Sequence, residues 1–343
     1  MCLRSTATST PSLQRSDFDQ ANLSEYPETT TMTRTSILLL CGFAVFSNDL
    51  TAQETKPKEE DKPKAEAPAE TAKAPEIKRD YDLVYTKAGD VELKIDVARP
   101  AGDGDALPTI LVIHGGGWRG GNKESNRRFL DLLAAKGFVA ASPQYRLVPK
   151  ATFPAQIHDV KAAVRWLKAH AKENRIDPDR IGAMGFSAGA HLALMLGVTG
   201  GEDGLEGDLE PKGPDTKIRA VVNYFGPTDL DGDDIPAISK PLVEAFLGGP
   251  LSDKKAEASK ASPLDFVSDG DAAILTYQGT KDPLVPHTQT YKLADAMTAK
   301  GVPGRVVLYV GDGHGWEGIE DTLEEASDFL MDKLVKPERR RRR

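Results

Sequence analysis

The sequence predicts an α/β fold: a mostly parallel central sheet with an antiparallel start and helices on both faces. Three observations carry that expectation. From Pro108 onward short, continuous apolar runs alternate with amphipathic stretches, the pattern of buried parallel strands and covering helices. Two alternating segments joined by a polar turn come before them, as an antiparallel hairpin would. Polar residues then stand where the apolar runs stop, at His114, Ser187, Asp229, Asp282 and His314, the carboxyl edge at which open α/β sheets gather functional groups.

Taken in order, Asp82–Tyr85 and Val91–Val97 read as the hairpin strands around Lys87-Ala88-Gly89-Asp90. PTILVIHG is the first parallel strand, and Ser125–Lys136 is a helix stopped by Gly137, a residue suited to a helix C-terminus. GFVAASPQYR is the next strand. In Gln156–Lys172 the residues Ile157, Val160, Val164 and Leu167 recur at helical spacing. Asp179–Gly185 is a strand and Ala188–Leu196 a helix. RAVVNYFG (strand), a helix around Pro241–Leu247, AAILTYQG (strand), Thr288–Lys300 (helix), RVVLYVG (strand) and Ile319–Lys333 (helix) complete the series. There is no internal repeat, and 79–335 is expected to form one catalytic domain, with Gly200–Asp215 as an acidic, glycine-rich surface excursion.

The chain has 343 residues, 39 % of them apolar and 28 % charged, with a formal net charge of −8, which suits a globular protein and argues against nucleic acid as a partner. Residues 1–52 read as a leader: Met32-Thr33-Arg34-Thr35, the apolar run Ile37–Phe46 and Ala52 follow the layout of a secretory signal. The expected location is therefore secreted or periplasmic, with Met32 a candidate start and no stable membrane span after cleavage. Residues 53–78, rich in Lys, Glu, Ala and Pro, have almost nothing to bury and read as a disordered linker. Residues 336–343 are a solvated basic tail. The two cysteines, Cys2 and Cys41, both fall in the leader, so a mature chain would hold no disulfide, thiolate metal site or cysteine nucleophile. Asp231-Gly232-Asp233-Asp234 lacks ligands at calcium-loop spacing and reads as a turn, so no metal and no cofactor are expected.

In GAMGFSAGAHLAL, Ser187 falls between a strand and a helix with glycines two residues to either side. That arrangement permits a sharp, strained turn which lifts a nucleophilic hydroxyl clear of the sheet. Serine needs a base, and there are six histidines to choose from. His158 and His170 lie within one long helix, His191 leads away from the turn, and His114 opens a glycine run. His314, in the loop VGDGHGW after the last strand, is the preferred base, with His287 as the alternative. The acid that orients the base is assigned to Asp282, after the penultimate strand and before His314, with Asp229 as runner-up. HGGGW at 114–118 offers consecutive N–H groups at a strand end. Gly116 and Gly117, with Ala188, are the expected oxyanion donors, and Gly115 and Trp118 are the neighbouring alternatives. Trp118, Phe186 and Trp316 flank these motifs and are the candidate pocket lining, although Phe186 suits core packing equally well.

HGGGW, YRLVPKATFPAQIHD (145–159), GFSAG, GTKDPLVP (279–286) and GDGHGW occur in this order over essentially all of 79–335. Together they resemble the α/β-hydrolase superfamily, in its hormone-sensitive-lipase and bacterial carboxylesterase branch. The resemblance implies a Ser187–Asp282–His314 triad acting without a cofactor on short acyl esters, with Arg146 partnered structurally by Asp159. Exported relatives of this shape include esterases that remove acetyl or feruloyl groups from plant polysaccharides, so the implied partner is a small-molecule or polysaccharide-linked ester. Many members of the branch carry a helical cap before the first strand. Here the linker stands in its place, so a reduced or absent cap and an open site are expected. Two other classes compete: a serine peptidase of the prolyl-oligopeptidase type, and a non-catalytic ligand-binding protein on the same fold. Gly115–Gly120 also satisfies G-x-G-x-x-G, but Asn122-Lys123-Glu124 separate it from the helix that a dinucleotide site would need.

Overall fold

A computed structural model describes residues 75–335. The leader, the basic tail and all but the end of the expected linker lie outside the described residues. The chain opens with β1 (Ile77–Ala88) and β2 (Val91–Pro100), an antiparallel pair. β1 starts at Ile77, inside the stretch read as linker, because Ile77 and Lys78 already pair with Pro100 and Arg99.

The remaining strands are β3 (Leu107–Ile113), β4 (Val139–Pro143), β5 (Ile176–Phe186), β6 (Ala220–Tyr224), β7 (Ala273–Gly279) and β8 (Gly304–Tyr309). They join β1 and β2 in one eight-stranded sheet of order β1-β2-β4-β3-β5-β6-β7-β8. β2 is antiparallel to β4, and every later neighbour is parallel. β3, β4, β6, β7 and the Ile181–Gly185 half of β5 are buried on both faces, which is why their sequences are mostly apolar and do not alternate; the first half of β5 exposes Pro178 and Asp179.

The helices are α1 (Arg127–Ala135), α2 (Ala155–Ala169), the single turn α3 (Ala171–Asn174), α4 (Ala188–Val198), α5 (Lys240–Leu247), α6 (Lys255–Lys260), α7 (His287–Lys300) and α8 (Leu323–Val335). The pleat divides the strand side chains between two cores. Leu111, Ile113 and Val221 pack with α2, α4 and α7, and Ile110, Val112 and Val222 pack with α1 and α8. All of α4 is buried, and each fully buried Leu or Met on it contributes about 1.5–3 kcal/mol.

The excursion at Gly200–Asp215 is anchored more firmly than a solvated loop. Glu206 accepts from Lys161 Nζ at 2.6 Å and pairs with Arg165 at 3.2 Å, so two cations buried on α2 find their countercharge there. Short α6 was not expected from the sequence; its Ala258 is fully buried beneath the loop that follows β6.

Candidate active site

Ser187 links β5 to α4 with φ 53° and ψ −121°, a backbone conformation that costs a non-glycine residue about 1–3 kcal/mol. Its surroundings hold it there. The Ser187 N–H donates to Tyr224 O on β6 at 2.9 Å, and its carbonyl accepts from His191 N at 2.9 Å. A Cβ on Gly185 would lie 2.3 Å from Gly189 O, and one on Gly189 would lie 2.2 Å from Ile113 O. Both glycines of G-x-S-x-G are therefore required by close backbone approach, and the first turn of α4 presses against the end of β3.

Ser187 Oγ stands 2.8 Å from His314 Nε2, and His314 Nδ1 stands 2.8 Å from Asp282 Oδ2. The Asp282 side chain is fully buried, and its other oxygen accepts from Leu284 N at 2.8 Å and Val285 N at 2.9 Å. Burial pushes the Asp282 carboxyl up. The hydrogen bonds from His314, Val285 and Leu284 and the facing imidazole outweigh that push, so the group is held below the usual carboxylate range. An ionised Asp282 fixes the His314 proton on Nδ1 and leaves Nε2 free to accept from Ser187. Gln278, which the sequence reading missed, donates to Asp282 Oδ2 at 3.0 Å and to Val285 O at 3.0 Å.

The rejected alternatives are turned elsewhere. Asp229 is bound to Lys292 at 2.8 Å, and His287 packs edge-on to Tyr291. Asp234 shares Lys292, and Asp231 pairs with Lys255.

The glycine loop faces the same spot. Gly116 (φ 113°) and Gly117 (φ 59°) line a cavity with Ser187 and Ala188. The N–H groups of Arg119 and Gly120 return to Gly116 O, so the run folds back on itself, and the first helical turn begins only at Lys123. Such a loop does not present a helix N-terminus to a pyrophosphate. Beneath it, Tyr145 stacks on His114 with ring centroids 4.3 Å apart and donates its hydroxyl to His114 O at 2.9 Å. Arg146 grips Asp159 through its guanidinium, with Nη2 to Oδ1 at 2.7 Å, and through its own N–H at 2.7 Å.

Trp118 is 3 % exposed, stacks on Phe246 at 4.2 Å and donates Nε1–H to His191 Nδ1 at 3.3 Å. His191 Nε2 donates in turn to Ala261 O at 2.7 Å. Burial pushes the His191 imidazolium down to about 4, so the ring is neutral with its proton on Nε2. His191 thus joins the loop of Trp118, helix α4 and the segment after α6, a role that its place in the sequence did not reveal.

The cavity holds about 370 Å³ and is walled by Phe225, Leu230, Ile235, Leu242, Val243 and Val285, with Trp118 at its edge. Most of this wall comes from the segment between β6 and β7. Two expected lining residues lie elsewhere. Phe186, the last residue of β5, is sent by strand alternation to the α1/α8 side, where it stacks on Tyr224 at 4.8 Å and meets Phe129 at 4.9 Å. Trp316 stacks on Tyr309 at 4.1 Å in the same layer. Phe225 takes the place expected of them, 4.6 Å from the His314 ring.

The BD-FAE family model matches residues 95–297. The esterase LipQ of Mycobacterium tuberculosis is 28 % identical over 259 residues, 73 % of this chain and 61 % of that protein. The chain spans roughly half to three-fifths of the curated relatives it matches. Among solved structures, the thermophilic esterase Est2 of Thermogutta terrifontis superposes with a TM-score of 0.62 at 26 % identity, covering 76 % of this chain and 92 % of that one. Est2 has also been solved with propionate and with butyrate bound. A carbohydrate esterase from gut microbiota gives a TM-score of 0.66 at 28 % identity, covering 77 % of this chain and 98 % of that one.

Proposed function

The chain belongs to the BD-FAE family, and from that premise we propose that it is a serine carboxylesterase that cleaves short acyl esters through an acyl-enzyme. The observation that carries this reading is the unbroken relay Ser187 Oγ–His314 Nε2 and His314 Nδ1–Asp282 Oδ2, with 2.8 Å at each link, on the floor of a largely apolar cavity. Ser187 attacks the acyl carbonyl while His314 takes the hydroxyl proton and Asp282 stabilises the imidazolium that forms. The carbonyl oxygen, now negative, is received by the N–H groups of Gly116, Gly117 and Ala188; in hydrolases each such donor is worth about 2.7–4 kcal/mol in the transition state. His314 returns the proton to the leaving alcohol. A water then enters, gives its proton to His314 and releases the acid.

The aliphatic wall of Leu230, Ile235, Leu242 and Val243 suits an acyl chain of a few carbons, in keeping with the propionate and butyrate held by Est2. Polysaccharide-linked acyl groups are the substrates we favour, supported by the likeness to a carbohydrate esterase and by the secretory layout of residues 32–52. The test is turnover of 4-nitrophenyl acetate by wild type and Ser187→Ala, followed by acetate release from acetylated xylan. A folded Ser187→Ala variant that keeps wild-type turnover refutes the mechanism.

A further inference from the structure

The cavity beside Ser187 is largely apolar and carries one permanent charge. Arg119, the residue after Trp118 in the glycine loop, lines it with an exposed side chain. It carries the one permanent charge among the lining residues. Among the described residues, no carboxylate pairs with its guanidinium and no carbonyl accepts from it. The segment that supplies Leu230 and Ile235 also contains Asp229, Asp231, Asp233 and Asp234; Lys292 holds Asp229 and Asp234, Lys255 holds Asp231, and none of the four lines the cavity. A protein of net charge −8 thus places a cation with no acidic partner on the wall of its reactive cavity.

We propose that Arg119 is a specificity residue that receives a carboxylate on the substrate, so that the preferred esters are those whose acyl or alcohol half carries an anionic group. This rests on the esterase reading of the same site. A guanidinium presents a planar fork that fits a carboxylate through two parallel hydrogen bonds, and the low-dielectric wall behind it strengthens the attraction. Arg119 follows the oxyanion loop directly, so a substrate clamped there is also oriented toward Gly116 and Gly117.

Two matched pairs of esters test the idea and tell the halves apart. 4-Nitrophenyl hydrogen adipate against 4-nitrophenyl hexanoate places the charge on the acyl half. 4-Acetoxybenzoate against 4-acetoxybenzamide places it on the alcohol half. The readout is the ratio of kcat/KM within each pair for wild type, Arg119→Gln and Arg119→Lys at low salt. In one pair the ratio should fall about tenfold in Arg119→Gln, the lower end of what a hydrogen bond to a charged group contributes. Arg119→Lys should recover part of it, and about 0.5 M NaCl should compress the wild-type ratio by screening. Ratios in both pairs that neither substitution nor salt moves would overturn the proposal while leaving the esterase reading intact. Failure of wild type to turn over any of the four esters would instead overturn the esterase reading, and this inference with it.

Discussion

Acid should weaken this protein through His191 in particular, and the size of the effect follows from where the ring sits. His191 is fully buried between Trp118 and Ala261, and burial pushes its imidazolium down to about 4. In the unfolded chain the same group titrates near 6.5. The unfolded state therefore binds the extra proton first as pH falls. Stability from this residue is fully present above about pH 6.5, is lost progressively toward pH 4 and levels off below that. A gap of roughly 2.5 pH units corresponds to roughly 3 kcal/mol, a large share of the 5–15 kcal/mol typical of a domain. His114 and His158, also held down by burial, add to the slope in the same direction. Urea titrations of wild type and His191→Gln at pH 7.5 and 4.5 isolate the term, because glutamine does not titrate. Wild type should lose roughly 2.5 kcal/mol more than the variant over that interval. Equal losses in the two proteins would refute the claim that a neutral, buried imidazole holds the loop of Trp118 to α4.

Three further outcomes are expected. Asp282→Asn removes the acceptor that keeps the His314 proton on Nδ1, and should lower kcat for 4-nitrophenyl acetate about 10⁴-fold at neutral pH with little change in the thermal midpoint. Lys123→Met withdraws the ammonium that bonds Asp96 at 2.7 Å and leaves that fully buried carboxylate to Arg127 and the Asp82 N–H; urea unfolding should report a loss of about 3 kcal/mol. Gly279→Ala places a Cβ 2.2 Å from Gly313 O, and should lower kcat at least tenfold while the far-UV dichroism is retained.

The sequence made the sheet legible because strands covered on both faces are mostly apolar, as β3, β4, β6, β7 and the Ile181–Gly185 half of β5 are. It made Ser187 legible because a Cβ on either flanking glycine would lie within 2.5 Å of neighbouring backbone. What stayed hidden depends on pairings distant in the chain. Phe186 and Phe225 each stand beside a strand end, and only the path of the turn decides which faces His314; Phe225 does so with φ 44°. The segment after β6 wraps toward Ser187 because Gln289, 61 residues away, accepts from Thr228 N, and because Ser262 accepts from Leu230 N. No local pattern announces either contact. Gln278 reads as one more strand residue until Asp282 is seen to fold back onto it.

One constraint explains why the relay needs glycine far from the nucleophile. Gly185 on β5 is in register with Asn223 on β6, Thr276 on β7 and Val306 on β8. Three strand spacings, about 14 Å, therefore separate the nucleophile's strand from the strand that precedes the base. An imidazole cannot span that gap, so the loop after β8 has to travel back over the end of β7. It does so against the backbone of the β7 turn: Lys281 N donates to Asp312 O at 2.8 Å, and Gly311 N donates to Thr280 Oγ1 at 2.9 Å. Gly279 sits directly under the crossing, and with no Cβ it lets Gly313 O pass where a side chain would stand. The same crossing brings His314 onto Asp282, which leaves β7 only three residues after Gly279. Gly279, through its missing Cβ, and Gly311 and Gly315, through their positive φ, thus answer one geometric demand, the return of the last loop across a neighbouring strand. The relay is as rigid as that crossing.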